Sequence, residues 1–402
     1  MSSNPDLFPK LFFVYDYRPE SRTMADLVRQ LLLGYETQKI AWWYSRESEL
    51  YANPDLRAGS LYHFSLPHKL APNERWTRAR SLLMEHVWVP LAARRLRTAV
   101  AQAKPDITWV FCNANCWSGV AATVANLKNC RVHVSLWDYH DMKPGIRSLG
   151  AARARRFMEL TFRLIKRADS YNTLCPASME DIERHTGRKD GLMVHSGFEP
   201  HHLQALASVA AQQPENDGIL RVAYVGTIIS ETGFFKMLEA LDKVRASLPQ
   251  KLVLEFFGNR EYRIRPWFKS DWMIEHGLFS DQGLIDALRR CSWGIVVMDP
   301  DAEDLQYSRF SFPNKVGTYL SAGVPVLGFG NTESCLIRMM REHDFGRFTT
   351  AVEVAEMEKF LRDSFQVSAP REFFREGILR CARTEFDAAS MRAKLWKVWG
   401  QT

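Results

Sequence analysis

Lys315 stands in the stretch FSFPNKVGTYLSAGVPVLGFG (310–330), just before a helical pattern that closes in Ala-Gly and runs into an apolar strand. A lysine at a helix start sets an ammonium beside free backbone N–H groups and the positive end of the helix dipole. Together they suit an anion. Arg309 could reach the same anion from the preceding loop, and Asn314 can donate to a phosphate oxygen. A second signal is YVGTIISETG (224–233), which reads as a strand, Gly226, a short polar loop from Thr227 and a helix start near Gly233. A glycine there lets a ligand approach the backbone, and the helix N-terminus beyond it favours a phosphate. Third, SLWDYHD (135–141) places Asp138, His140 and Asp141 at a strand end, where a carboxylate or imidazole could orient or deprotonate a hydroxyl. Each group also has a plain structural alternative. Gly226 can serve only a tight turn, Lys315 and Arg309 can be solvated charges, and Asp138 and His140 can be a cap and an exposed histidine.

Strand-like and helix-like stretches alternate through both halves and must position these residues. KLFFVYDY, QKIAWWYS, ITWVFCN, CRVHVSLWDYHD, SYNTLCP and GLMVHSGFEP read as strands of the first half. ILRVAYVGT, KLVLEFFGN, WMIEHGLF, WGIVVMDP and PVLGFG read as strands of the second. Helical stretches lie between them, one long from about 76 to 103 and one basic through ARARRFMELTFRLIKRAD. Such alternation predicts parallel sheets covered on both faces. The small, polar, proline-bearing stretch 206–218 reads as a linker, so two doubly wound domains are expected, with a ligand at the carboxyl ends of the strands.

Composition narrows the classes. The 402 residues carry a net charge of +7, with 46% hydrophobic and 25% charged residues. That balance suits a globular protein with an anionic ligand or an anionic surface as partner. Seven scattered cysteines predict a reduced, cytoplasmic chain. Cys112 and Cys116 in FCNANC lack the second pair a zinc site needs. The start has no signal-peptide pattern, and no run of about 18 apolar residues predicts a membrane span. Nothing reads as a nucleic-acid module. The basic stretches 75–100 and 152–169 could rest peripherally on anionic lipid, although helices packed on a sheet and basic outside give the same pattern.

The stretch 296–330 resembles the donor-binding region of glycosyltransferase family 4 and its close relatives. One branch of that family carries Phe-Pro-Ser-Lys, Tyr-Leu, Ala-Gly and Pro-Val. Here Phe312, Pro313, Asn314, Lys315, Tyr319, Leu320, Ala322, Gly323, Pro325 and Val326 match it. Gly226, Gly258 and HGLFSDQGLIDALRRCSWGIVV fall at the corresponding places. The likeness covers about 220–346; over the first half it extends only to the architecture and SLWDYHD.

The resemblance implies a GT-B fold: α/β, two doubly wound Rossmann-like domains with an interdomain cleft. It implies an acceptor-side domain at 1–205, the linker at 206–218 and a nucleotide-sugar domain at 219–385. A C-terminal helix in 386–402 is expected to pack back on the first domain. The implied activity moves a sugar from a UDP- or GDP-linked donor to a hydroxyl of a glycan or lipid-linked saccharide, with retention and without a metal, in a polysaccharide biosynthesis setting. Gly226, Thr227, Gly258, Leu278, Phe279, Arg309, Asn314, Lys315 and Thr318 are the expected donor contacts. Asp138, His140 and Lys315 are the expected catalytic residues. Two departures stand out. Where many members carry a spaced pair of glutamates, this chain has Phe310 and Thr318. Where they carry an arginine and a lysine after the first glycine, it has Thr227 and Thr232, with Lys236 as a substitute cation. These departures motivate one alternative, an inactive GT-B scaffold that binds a partner; a nucleotide-sugar epimerase on the same fold is another.

Overall fold

A computed structural model describes residues 8–20, 25–46, 57–66, 74–113, 116–142, 145–146, 149–212, 217–298 and 305–400. Residues 299–304 of the motif-bearing stretch and 213–216 of the expected linker lie outside the described residues. The chain divides into two compact units, one made of Met1–His195 with Ser390–Thr402, the other of Ser196–Ala389.

The first unit is a seven-stranded parallel sheet. Its strands are β1 (Leu11–Val14), β2 (Ile40–Tyr44), β3 (Ser60–His63), β4 (Ile107–Cys112), β5 (Arg131–Leu136), β6 (Ser170–Thr173) and β7 (Leu192–Met193), in the order β3-β2-β1-β4-β5-β6-β7. Strand β3 was not expected: its SLYH sequence is mostly exposed and lacks an apolar run. The central strands are aromatic because both faces are covered. Phe13 packs against Trp42 and Trp109, with centroids 4.3 and 4.4 Å away. The last helix, Ala388–Trp399, adds Leu395 and Trp399 to this core. Trp399 lies 5.0 Å from Trp109, and Arg131 donates to its carbonyl at 2.6 Å.

At the carboxyl end of β1, Asp16 is 2% exposed. Its carboxylate accepts from the N–H groups of Trp117 and Ser118 at 3.1 and 2.9 Å, so it caps the helix Trp117–Ala125. The helical stretch 74–103 is continuous but passes through a wider π turn at Met84–Trp88. That turn points Glu85 inward, where Arg153 and Arg156 hold it at 3.1 and 2.6 Å. Two arginines of the basic helix Ala151–Arg167 thereby serve an internal carboxylate.

The second unit is a six-stranded parallel sheet of β8 (Ile219–Val225), β9 (Lys251–Phe257), β10 (Met273–Gly277), β11 (Trp293–Val297), β12 (Val326–Phe329) and β13 (Gly346–Thr349). The order is β10-β9-β8-β11-β12-β13, so the chain reverses its winding between β8 and β11. A crevice opens at such a reversal, outside the carboxyl ends of the strands. The expected linker begins as structure: Leu206–Ala210 end the helix Pro200–Ala210, with Leu206, Val209 and Ala210 buried. Small residues there serve close packing, since a Cβ on Gly323 would come within 2.7 Å of Ala210 Cα.

Candidate functional site

Strands β8 and β11 pair only at Trp293–Val222 and Gly294–Ala223, then part. Tyr319 of the helix Asn314–Ser321 fills the gap. Its hydroxyl accepts from Val225 N at 2.9 Å and lies 3.1 Å from both Ala223 O and Ile295 O. The ring needs Gly294 beneath it, because a Cβ there would meet Tyr319 at 2.4 Å. Tyr319 therefore fixes the helix against the parted strands and aims its first turn at the crevice. The helix stops at Gly323, whose φ of +67° is a left-handed terminating turn.

Lys315, in that first turn, bends across the end of β8. Its Nζ donates to Tyr224 Oη at 2.8 Å and to the Thr227 carbonyl at 2.9 Å, and it sits 4.0 Å from the Tyr224 ring centroid. Burial pushes the amine down to about 7. A charged amine is disfavoured away from water unless a counter-charge accompanies it. Gly226, at φ +78°, turns the chain directly above, 3.7 Å from Lys315 Cε when a Cβ is built on it. The glycine ends line up: Gly226 N donates to Phe257 O at 2.7 Å, and Gly258 N to Gly277 O at 2.9 Å.

A residue absent from the sequence reasoning secures this cradle. Tyr262 is 8% exposed, and its hydroxyl takes the N–H of Ile228 at 2.9 Å and donates to Gly226 O at 3.1 Å. One phenol thus holds both ends of the Gly226–Thr227–Ile228 turn. Arg260 brings Nε to 3.5 Å from Thr227 Oγ1, a guanidinium beside the position where the resemblance expects an arginine. Neither residue carries a local signal, because both reach the turn from the loop after β9.

The structure thus gathers Lys315, Gly226, Thr227 and Gly258. Other expected donor residues stand around them with different neighbours. Asn314 opens the helix and accepts from Ser196 Oγ at 3.3 Å. Thr318 lies one turn on and is partly buried. Arg309 ends the helix Leu305–Phe310 with its guanidinium 5.5 Å over the Phe310 ring. Leu278, 58% exposed, and Phe279 follow β10, where Phe279 packs 5.8 Å from Phe257.

In the first unit, Asp138 follows β5 and is partly buried; burial pushes its carboxyl up to about 6, near the range useful for proton transfer. His140 departs from the expectation of a strand-end residue open to a ligand. It is 1% exposed and stands edge-on to Phe157, because the loop folds back so that His140 N meets Met158 Sδ at 3.3 Å. The same Phe157 ring packs against Trp117 at 5.5 Å.

Among the described residues, one group has ligand atoms close enough for a metal: Glu342, His343 and Glu385, within 4.8 Å of one another. It lies where the helix Cys335–His343 leads into β13, at the amino-terminal edge of the sheet and not at the cradle.

No protein-family model matches the chain, and no curated protein is similar enough in sequence to match. Solved structures do match over nearly the whole length. The glycosyltransferase WaaG, described as involved in lipopolysaccharide biosynthesis, shares 13% identity over 98% of this chain and 100% of its own, with a TM-score of 0.63. Sucrose-phosphate synthase from Thermosynechococcus elongatus shares 12% over 97% and 98%, at 0.65. HepE from Anabaena, solved with UDP-glucose, shares 13% over 98% and 99%, at 0.60. These neighbours are GT-B proteins, and the two parallel-sheet units of this chain have the GT-B fold.

Proposed function

We propose that this protein is a glycosyltransferase of the family 4 type, moving a sugar from a UDP- or GDP-linked donor to a hydroxyl of a glycan or lipid-linked saccharide. One observation carries the reading: a lysine of lowered basicity held at the switch point by Tyr224 Oη and the Thr227 carbonyl. Two of its three protons are used there, and the third is for a donor phosphate. As the sugar leaves, charge grows on the diphosphate. An amine already fixed in place, protonated as the diphosphate binds, stabilises that charge without reorganising. Arg260 shares the load from the Thr227 side. The base lies against Leu278 and Phe279, and the ribose against Thr318.

In this proposal the reaction retains configuration and uses no metal, with the departing phosphate oxygen taking the acceptor proton. Asp138, with its raised pKa, orients the acceptor on the first unit, and His140 supports the Asp138 loop from inside. The inactive-scaffold and epimerase readings are less favoured. A scaffold has no use for a desolvated amine at a glycine turn, and the likeness to transferases spans both units. A thermal-shift series with UDP, GDP and their sugars, without added metal, tests the reading. One nucleotide should raise the melting temperature, since a ligand of the folded state alone must stabilise it. No shift with any of them overturns it.

The proposal includes peripheral contact with an anionic membrane. No helix of the described residues is long and apolar enough to cross one. On the helical stretch 74–103, Leu82, Leu83, Val87 and Leu91 are 40–51% exposed, with exposed Arg94 and Arg95 beyond them. The π turn has taken Glu85 off that face. Such a surface suits anionic headgroups over shallow acyl chains. The protein should cosediment with vesicles containing phosphatidylglycerol, and a Val87→Glu, Leu91→Glu variant should not. Equal sedimentation of both would remove this part.

A further inference from the structure

A cavity of about 630 Å³ opens in the second unit beside the Thr227 turn, and Lys315 does not line it. Its size is that of an ordinary small-molecule site. Tyr262, Trp267 and Phe235 form its aromatic walls, and Arg260, Arg265 and Glu231 are among the polar groups that rim it. Trp267 is fixed by its neighbours, 5.6 Å from Phe234, 5.7 Å from Tyr262 and 5.8 Å from Phe235. Phe235 remains 40% exposed.

The chemistry of this wall and rim is selective. Aromatic faces attract the C–H faces of a sugar ring and can also stack a base. The rim, however, mixes cations and carboxylates, so it does not select an anion. Guanidinium forks and carboxylates donate to and accept from paired hydroxyls. A neutral polyol uses both signs, and a phosphate would be repelled by Glu231. We infer that this cavity is a second saccharide subsite, taking a neutral sugar residue separately from the phosphate cradle. It shares Thr227, Arg260 and Tyr262 with that cradle, so a glycan held there would lie beside the donor. The inference rests on the proposed transferase reading for its purpose, but not for its binding chemistry.

Saturation-transfer NMR with maltose, cellobiose and chitobiose at millimolar concentration tests it on the full chain. At least one sugar should give transfer to its ring protons in the wild type and equally in Lys315→Ala. Glu231→Gln with Arg265→Ala should weaken that binding roughly three- to tenfold, and Phe235→Ala should do likewise. These side chains are exposed, so the variants should fold; an unchanged circular dichroism spectrum verifies that. No transfer with any sugar, or transfer untouched by the variants, overturns the subsite. Displacement of the sugar by UDP at stoichiometric occupancy also overturns it, since the cavity would then belong to the donor. If nucleotide binding fails while sugar binding holds, the transferase reading falls and the subsite stands.

Discussion

Lys315→Ala is expected to weaken binding of the active nucleotide by somewhat over a hundredfold, about 3 kcal/mol, while leaving the fold intact. The size follows from the placement of the amine. Tyr224 Oη at 2.8 Å and the Thr227 carbonyl at 2.9 Å hold it where an ordinary lysine would pay a large ordering entropy. The bound phosphate therefore gains an amine already in position, which it holds protonated. The free protein should lose little, because a desolvated amine is itself a burden on the folded state. Lys315→Met separates the two effects. Methionine keeps the apolar stem against Tyr224 and removes the charge together with its two hydrogen bonds. Its melting temperature should equal or exceed that of the wild type, with nucleotide affinity as poor as in the alanine variant. Isothermal titration calorimetry with the nucleotide found in the thermal-shift series provides the measurement. Wild-type affinity in Lys315→Met would mean that the diphosphate is held elsewhere, and the cradle would lose its role.

The route to that lysine was legible in residue types alone. Gly226 after a strand, Lys315 at a helix start and Ala322-Gly323 before the next strand each obey a local rule, and local rules survive without knowledge of the partner strands. Tyr319 was legible as a match to the family stretch, but its hydroxyl bridge to Val225, Ala223 and Ile295 depends on two strands parting, which no spacing reveals. Tyr262 and Arg260 arrive from a different loop, so they were invisible for the same reason. His140 shows the opposite failure. A polar residue at a strand end reads as open to ligand, yet the loop doubles back on Met158 and Phe157 and encloses it. The stretch from Leu206 misled through composition: small residues suit a linker, and they equally suit a helix end on which another backbone rests.

One amine should also produce two opposite pH trends. Lysine in an unfolded chain keeps its proton to near its ordinary 10.5, whereas Lys315 in the folded chain releases it near about 7. Between those values the unfolded state binds more protons, so this residue's contribution makes the free protein more stable as pH rises, and the burden is fully present below 7. Nucleotide binding runs the other way. A diphosphate beside the amine raises its pKa, so above about 7 each binding event takes up a proton. Affinity should then fall by up to about tenfold per pH unit until the pKa of the complex is reached. Calorimetry at pH 8 in buffers of different ionisation enthalpy reads that proton directly, and denaturant melts from pH 7 to 10 read the stability arm. Both trends should vanish in Lys315→Met, which has no proton to exchange. Proton uptake that persists in the methionine variant would assign the titration to another group. Affinity independent of pH in the wild type would mean that Lys315 is charged before the nucleotide arrives, and the cradle would then owe its strength to the Tyr224 ring and the turn carbonyl holding a permanent cation.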